Sequence, residues 1–268
     1  MIHGSIRLGL VLALLAGAPG AMAAPDHGQW QSLLEEYVEE VDGGQATRVD
    51  YGGLMNDRAR LQGYLDELAA VPREQFEAWP QNTQLAFLIN AYNAWTVESI
   101  LREYPAIDSI RDIGFLPGAA WRRKVVSLFG EQVSLDNVEH DMIRGWDRFQ
   151  EPRIHFAVNC AAIGCPPLRA EAYTGERLQQ QLDDNTRLFL SDRDRNHIES
   201  NTAYISRIFD WYEEDFEKGW NGIDSVTDFL LRYADALAMD ADTAARMARG
   251  EIRLRYLDYD WGLNAVRE

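Results

Sequence analysis

The sequence predicts an α+β fold, a single compact domain that is helix-rich with a small, mostly antiparallel sheet. Three observations carry this. Helix-period apolar segments are interleaved with strand-like pieces too short and irregular for regular βαβ winding. Two pairs of short strands are separated by turn dipeptides, Gly130-Glu131 and Asn201-Thr202. Aromatic residues are plentiful, with 8 Trp, 11 Tyr and 10 Phe, which is ample material for one large core. No long linker, low-complexity tract or internal repeat divides the chain.

Residues 1–23 stand apart from that fold. Arg7 precedes an uncharged apolar run over 8–18, and Ala21-Met22-Ala23 supplies the small-x-small pattern of a cleavage site. The pattern predicts a cleavable signal peptide over 1–23, a globular chain over 24–268, and a periplasmic or secreted location. The run is too short for a stable membrane span. No later segment reaches the roughly 18 uninterrupted apolar residues that a span needs.

Beyond the signal, Trp30, Leu33, Leu34, Tyr37, Val38 and Val41 recur with helical spacing over 30–41, stopped by Gly43-Gly44. Residues 47–51 read as extended, 54–71 as helix, and Pro72 as the opening of a short turn. The clearest helix is 81–104, closed by Pro105. Its centre is apolar nearly all round, so it is buried on most sides. Residues 122–129 and 132–135 read as a hairpin, 136–146 as a helix, 154–158 as a strand and 173–191 as an amphipathic helix. A second hairpin joins 197–200 to 203–206. Helices at 209–216, 226–237 and 241–249 precede a final strand at 252–259, with Gly250 between them.

The formal net charge of −17 opposes nucleic acid and anionic membranes, since both require positive charge. The expected partner is a small molecule, a peptide or a protein, and no cofactor is assigned.

Both cysteines lie in His155-Phe-Ala-Val-Asn159-Cys160-Ala-Ala-Ile-Gly164-Cys165-Pro166, where an apolar run ends abruptly. In an exported chain two thiols this close most simply form a disulfide, Cys160 to Cys165, worth roughly 2 kcal/mol through the small loop it closes. The sharper alternative makes one of them a nucleophile. Cys165 before Pro166-Pro167 suits the start of a helical turn, His155 and His140 are the available bases, and Asn159, Asn90 or Asp136 can orient a base. Cys160, Cys165, His155 and His140 also form a two-cysteine, two-histidine set. The tight zinc spacings are missing, so no metal is assigned.

A second polar cluster follows the first hairpin. Asp136 and Glu139 have the spacing of a capping box, and Arg144 lies one turn beyond His140. The same stretch can instead bring Glu139 and His140 to the thiol loop as acid–base groups. Asn90 and Asn93 share one face of the apolar helix. Buried there they must find partners, at a cost of about 1–3 kcal/mol each if they do not. Loop backbone is the expected partner.

These residues resemble a known family. Ala86-Phe-Leu-Ile-Asn90-Ala-Tyr-Asn93-Ala-Trp95, Leu135-Asp136-Asn-Val-Glu139-His140 and the cysteine segment together are similar to the domain of unknown function 547 family. Ser206-Arg-Ile-Phe209-Asp-Trp211-Tyr212 and Tyr259-Asp260-Trp261-Gly-Leu-Asn264 resemble its downstream blocks. The likeness is densest over about 79–190. It implies a domain and not a reaction, because the family has no established common activity. Two functional readings stay open: a thiol-dependent hydrolase or acyl-transferase acting on a peptide or amide, and a non-catalytic binding or scaffold domain whose loop is a structural disulfide.

Overall fold

The central helix runs Gln81–Leu101 in the computed structural model, which describes residues 24–266, and every residue over 84–101 is buried. The expected signal peptide over 1–23 lies outside the described residues. Helix Arg58–Ala69 buries Leu61, Tyr64, Leu65 and Leu68, a stripe at helical spacing, where it packs on the central helix and on helix Gly28–Tyr37, with Tyr64 stacked on Trp30. Helix Leu178–Ser191 presents Leu178, Leu182, Asn185 and Phe189 on one face to the central helix and to the 3₁₀ turn Pro152–Phe156. Each large apolar side chain so buried contributes about 1.5–3 kcal/mol. A second apolar cluster gathers Phe156, Phe209, Phe216 and Phe229, with Phe216 edge-on to Phe229 at 5.0 Å. Among the described residues, no helix is long and apolar enough to cross a membrane.

The strands make three small sheets instead of one. β1 (Val38–Val41) pairs antiparallel with β2 (Ala46–Val49), and β3 (Val126–Leu128) with β4 (Glu131–Val133). Phe129 and Gly130 both take positive φ between β3 and β4, the geometry of a tight hairpin turn. β5 (His197–Glu199) pairs antiparallel with β6 (Thr202–Ile205), and β7 (Arg253–Tyr256) joins β6 in parallel.

Four local expectations are corrected. The first helix stops at Tyr37, because β-branched Val38 and Val41 are drawn into pairing with β2. The predicted 54–71 helix is two, Tyr51–Asn56 and Arg58–Ala69, broken at Asp57. Residues 154–158 are not a strand. Glu151 caps Arg153 N–H at 3.1 Å and Pro152 occupies a first-turn position, so the segment winds into a 3₁₀ turn. Residues over 209–216 form two short helices, Ile208–Trp211 and Glu213–Phe216, broken at Tyr212.

Candidate functional site

The two buried asparagines of the central helix grip the loops that carry the chemistry. Asn90 donates to Tyr173 O at 2.7 Å and accepts from Tyr173 N–H at 2.9 Å. Asn93 donates to Ala157 O at 3.0 Å and accepts from Asn159 N–H at 2.8 Å. Asn159 spends its own amide on the turn, donating to Pro166 O at 2.8 Å and accepting from Ala161 N–H at 2.9 Å. These three residues position the site and do not line it.

The turn brings Cys160 and Cys165 to disulfide distance, with Cα atoms 6.2 Å apart, and there is no free cysteine among the described residues. No helix begins at Cys165. Its carbonyl accepts from Arg195, and its N–H donates to Ala162 O at 3.1 Å. The C-terminal segment lies along the turn: Ile163 N–H donates to Gly262 O and Gly164 N–H to Asp260 O, both at 2.8 Å. That contact sets the Tyr259 hydroxyl against both sulfurs, 3.2 Å from Cys160 Sγ and 3.1 Å from Cys165 Sγ.

Opposite stands a π-helix, Asn137–Arg144. Such segments are frequent at functional sites because the wider turn re-aims side chains. The expected Asp136–Glu139 capping box is absent. Ser134 and Asn137 satisfy each other instead, with Ser134 N–H donating to Asn137 Oδ1 at 3.0 Å and Asn137 N–H to Ser134 Oγ at 3.1 Å. Asp136, Glu139 and His140 are thereby free to face a cleft of about 190 Å³ that also reaches His155, Cys160 and Cys165. Six of the nine expected site residues thus converge.

His155 is buried with its Nε2–H donating to Asp215 Oδ2 at 2.8 Å, and its Nδ1 has no partner. Burial lowers the pKa of His155 against the opposing pull of Asp215, so the ring is neutral. Burial by itself would raise the pKa of Asp215. Hydrogen bonds from His155, from Arg144 Nε at 2.5 Å and from Lys218 Nζ at 2.6 Å outweigh it and hold the carboxyl well below its usual range. Tyr212 stacks on His155 with centroids 3.9 Å apart and donates to Glu139 Oε1 at 2.6 Å. His140 Nδ1 and Arg144 Nη1 lie 2.8 Å apart. Among the described residues, no group of three or more His, Cys, Asp or Glu is placed to hold a metal ion.

The family model for proteins of unknown function, DUF547, matches residues 76–190. This segment is a DUF547 domain. No curated protein and no solved structure matches the chain. The DUF547 domain contributes Tyr92, Trp121, Glu139, His140, His155 and both cysteines to the cleft. Trp211, Tyr212, Tyr259 and Trp261 complete it from beyond the matched segment, as does Asp215 behind His155. None of these five is among the residues expected at the site from sequence, although Trp211, Tyr212, Tyr259 and Trp261 lie in the two downstream blocks.

Proposed function

We propose that the protein is an exported binding domain that takes a small molecule into this cleft, with the Cys160–Cys165 disulfide as a structural clamp on one wall. The observation that carries the reading is the pairing of the two sulfurs under the Tyr259 hydroxyl, which leaves no resting nucleophile while fixing a concave, aromatic-lined wall. Concave, mostly apolar clefts with a few convergent polar groups are the usual form of small-molecule sites. An oxidising compartment, the destination read from residues 1–23, keeps such a clamp closed. The test is a thiol count on the protein isolated without reductant, together with its intact mass. No titratable thiol and a mass about 2 Da below the reduced chain is the expected result. Two free thiols in the protein as isolated overturn the clamp.

One observation favours a second reading. The carboxylate of Asp215 orients His155, and the ring borders the cleft that holds both sulfurs with Nδ1 unengaged. An oriented imidazole beside a thiol is the arrangement of thiol hydrolases. After reduction, a thiolate of Cys160 or Cys165 would attack an amide or ester carbonyl. His155 would then pass the thiol proton to the leaving group, and water would cleave the acyl-thioester left on the cysteine, releasing the acid and restoring the thiol. Reductant-dependent turnover of a chromogenic ester or peptide amide, lost in whichever of Cys160→Ser and Cys165→Ser removes the attacking thiol, is the outcome that would replace the binding reading.

A further inference from the structure

Resting on the reading of the cleft as a ligand site, we infer that its occupant is a small organic cation with N–H donors, an ammonium or guanidinium on an apolar stem. It is held between the aromatic wall and the Glu139 carboxylate.

The charges behind the cleft are already matched. Asp215 is shared by Arg144 and Lys218, and Glu214 Oε1 accepts from Arg144 Nη2 at 2.6 Å. Glu139 is left out of this network. It is 4 % exposed, it accepts from Tyr212 and stands beside Tyr92, and no Lys, Arg or His among the described residues is within ion-pair distance of it. Asp136 has His140 at 3.9 Å, and Arg122 and Arg144 act on these two carboxylates only from longer range. A buried carboxylate without a cation is costly, and a ligand charge relieves that cost.

A second observation is independent of the acids. His155 Nε2–H is committed to Asp215, so the neutral ring offers Nδ1 as a bare acceptor. That atom is buried without a donor in a residue that lines the cleft. An unmet buried acceptor costs about 1–3 kcal/mol. Glu139 and His155 therefore ask for the same chemistry, a donor, and both disfavour an anion.

The wall supplies the third requirement. Trp211 stacks on Trp261 at 5.5 Å, and Tyr259 meets Trp261 at 4.6 Å. The chain already sets cations on these rings, with the Arg111 guanidinium 5.2 Å from Trp261 and that of Arg144 5.1 Å from Tyr212. A cleft of about 190 Å³ has room for one cationic group and a short stem beside these rings.

The test is an isosteric charge series, benzylammonium, benzyl alcohol and benzoate, titrated into the full oxidised protein and read by tryptophan emission and calorimetry. Benzylammonium should bind about tenfold or more tighter than benzyl alcohol, as expected for about 1.4 kcal/mol or more of cation–π and ion-pair energy, and benzoate weakest. Glu139→Gln should erase the preference for benzylammonium and spare benzyl alcohol. The more exposed Trp211→Leu, which puts the core at less risk, should weaken benzylammonium more than benzyl alcohol. Equal binding across the series, or a preference for benzoate, overturns the cation assignment and leaves the cleft reading standing. Binding by none of the three overturns the cleft reading itself.

Discussion

Asp215 accepts from His155 Nε2–H at 2.8 Å, with both side chains wholly buried, and it also anchors Arg144 and Lys218. Asp215→Asn removes the charge on which three donors converge and leaves Arg144 and His155 beside a neutral amide. Breaking one member of a buried charge network costs about 3–5 kcal/mol, so the urea midpoint should fall sharply. Lys218 is 38 % exposed, and Lys218→Ala should cost about 1 kcal/mol or less. Because the folded pKa of Asp215 is depressed, its contribution is complete above its unfolded value of about 3.9 and is lost as pH falls below that. Similar midpoints for the two variants would show that the network is not cooperative.

The Tyr259 hydroxyl reaches both sulfurs from a position 99 residues beyond Cys160. Once the disulfide is reduced, a donor at that place favours the thiolate over the thiol. In Tyr259→Phe the alkylation rate of the reduced protein should therefore reach half its maximum at a higher pH than in the parent. Stability should fall by about 1 kcal/mol, as for one modest hydrogen bond. An unmoved alkylation profile would mean that the hydroxyl does not serve the sulfurs.

The parts of this arrangement legible in the sequence are those whose signal is local. An all-round apolar helix must be buried, and Asn90 and Asn93 inside it had to find loop backbone, as they do. The cysteine segment and the Asp136 to His140 stretch were each marked by residue type, and they share one cleft. Asp215 was not legible. It follows Glu213 and Glu214, a run that reads as a solvated acidic face, and only packing under His155 buries it. The 154–158 segment was misleading for a related reason. All five of its residues are buried, so its apolar character carried no information about facing, and Glu151 with Pro152 decided the winding.

His27 offers a pH dependence remote from the cleft. It is 4 % exposed, and its Nδ1 lies 2.7 Å from the Tyr64 hydroxyl. Burial pushes its pKa down to about 4 despite the nearby Asp26. The unfolded chain takes up the proton near pH 6.5 and the folded chain does not until about 4. Its stabilising contribution is therefore full above 6.5, declines as pH falls between the two values, and is gone below about 4. The span corresponds to about 3 kcal/mol. His27→Gln removes the titration, so the urea midpoint of this variant should fall less than that of the parent between pH 7 and pH 4. Parallel curves would place His27 in water.

Gly164 marks where the cysteine turn and the C-terminal segment touch most closely. A Cβ there would lie 3.0 Å from Asp260 O and 3.0 Å from Cε2 and Cζ of Tyr259. The Asp260 carbonyl cannot retreat freely, because it already accepts from Gly164 N–H at 2.8 Å, and the neighbouring Gly262 O accepts from Ile163 N–H at 2.8 Å. Gly164→Ala should therefore push the segment off the turn as a unit, at a cost of about 1–3 kcal/mol for an overpacked contact. Tyr259 and Trp261 travel with it, so tryptophan emission should change and benzylammonium binding should weaken in the same variant. A variant of parental stability with parental emission would mean that the segment accommodates the methyl locally, and that the cleft wall does not depend on the close approach at Gly164.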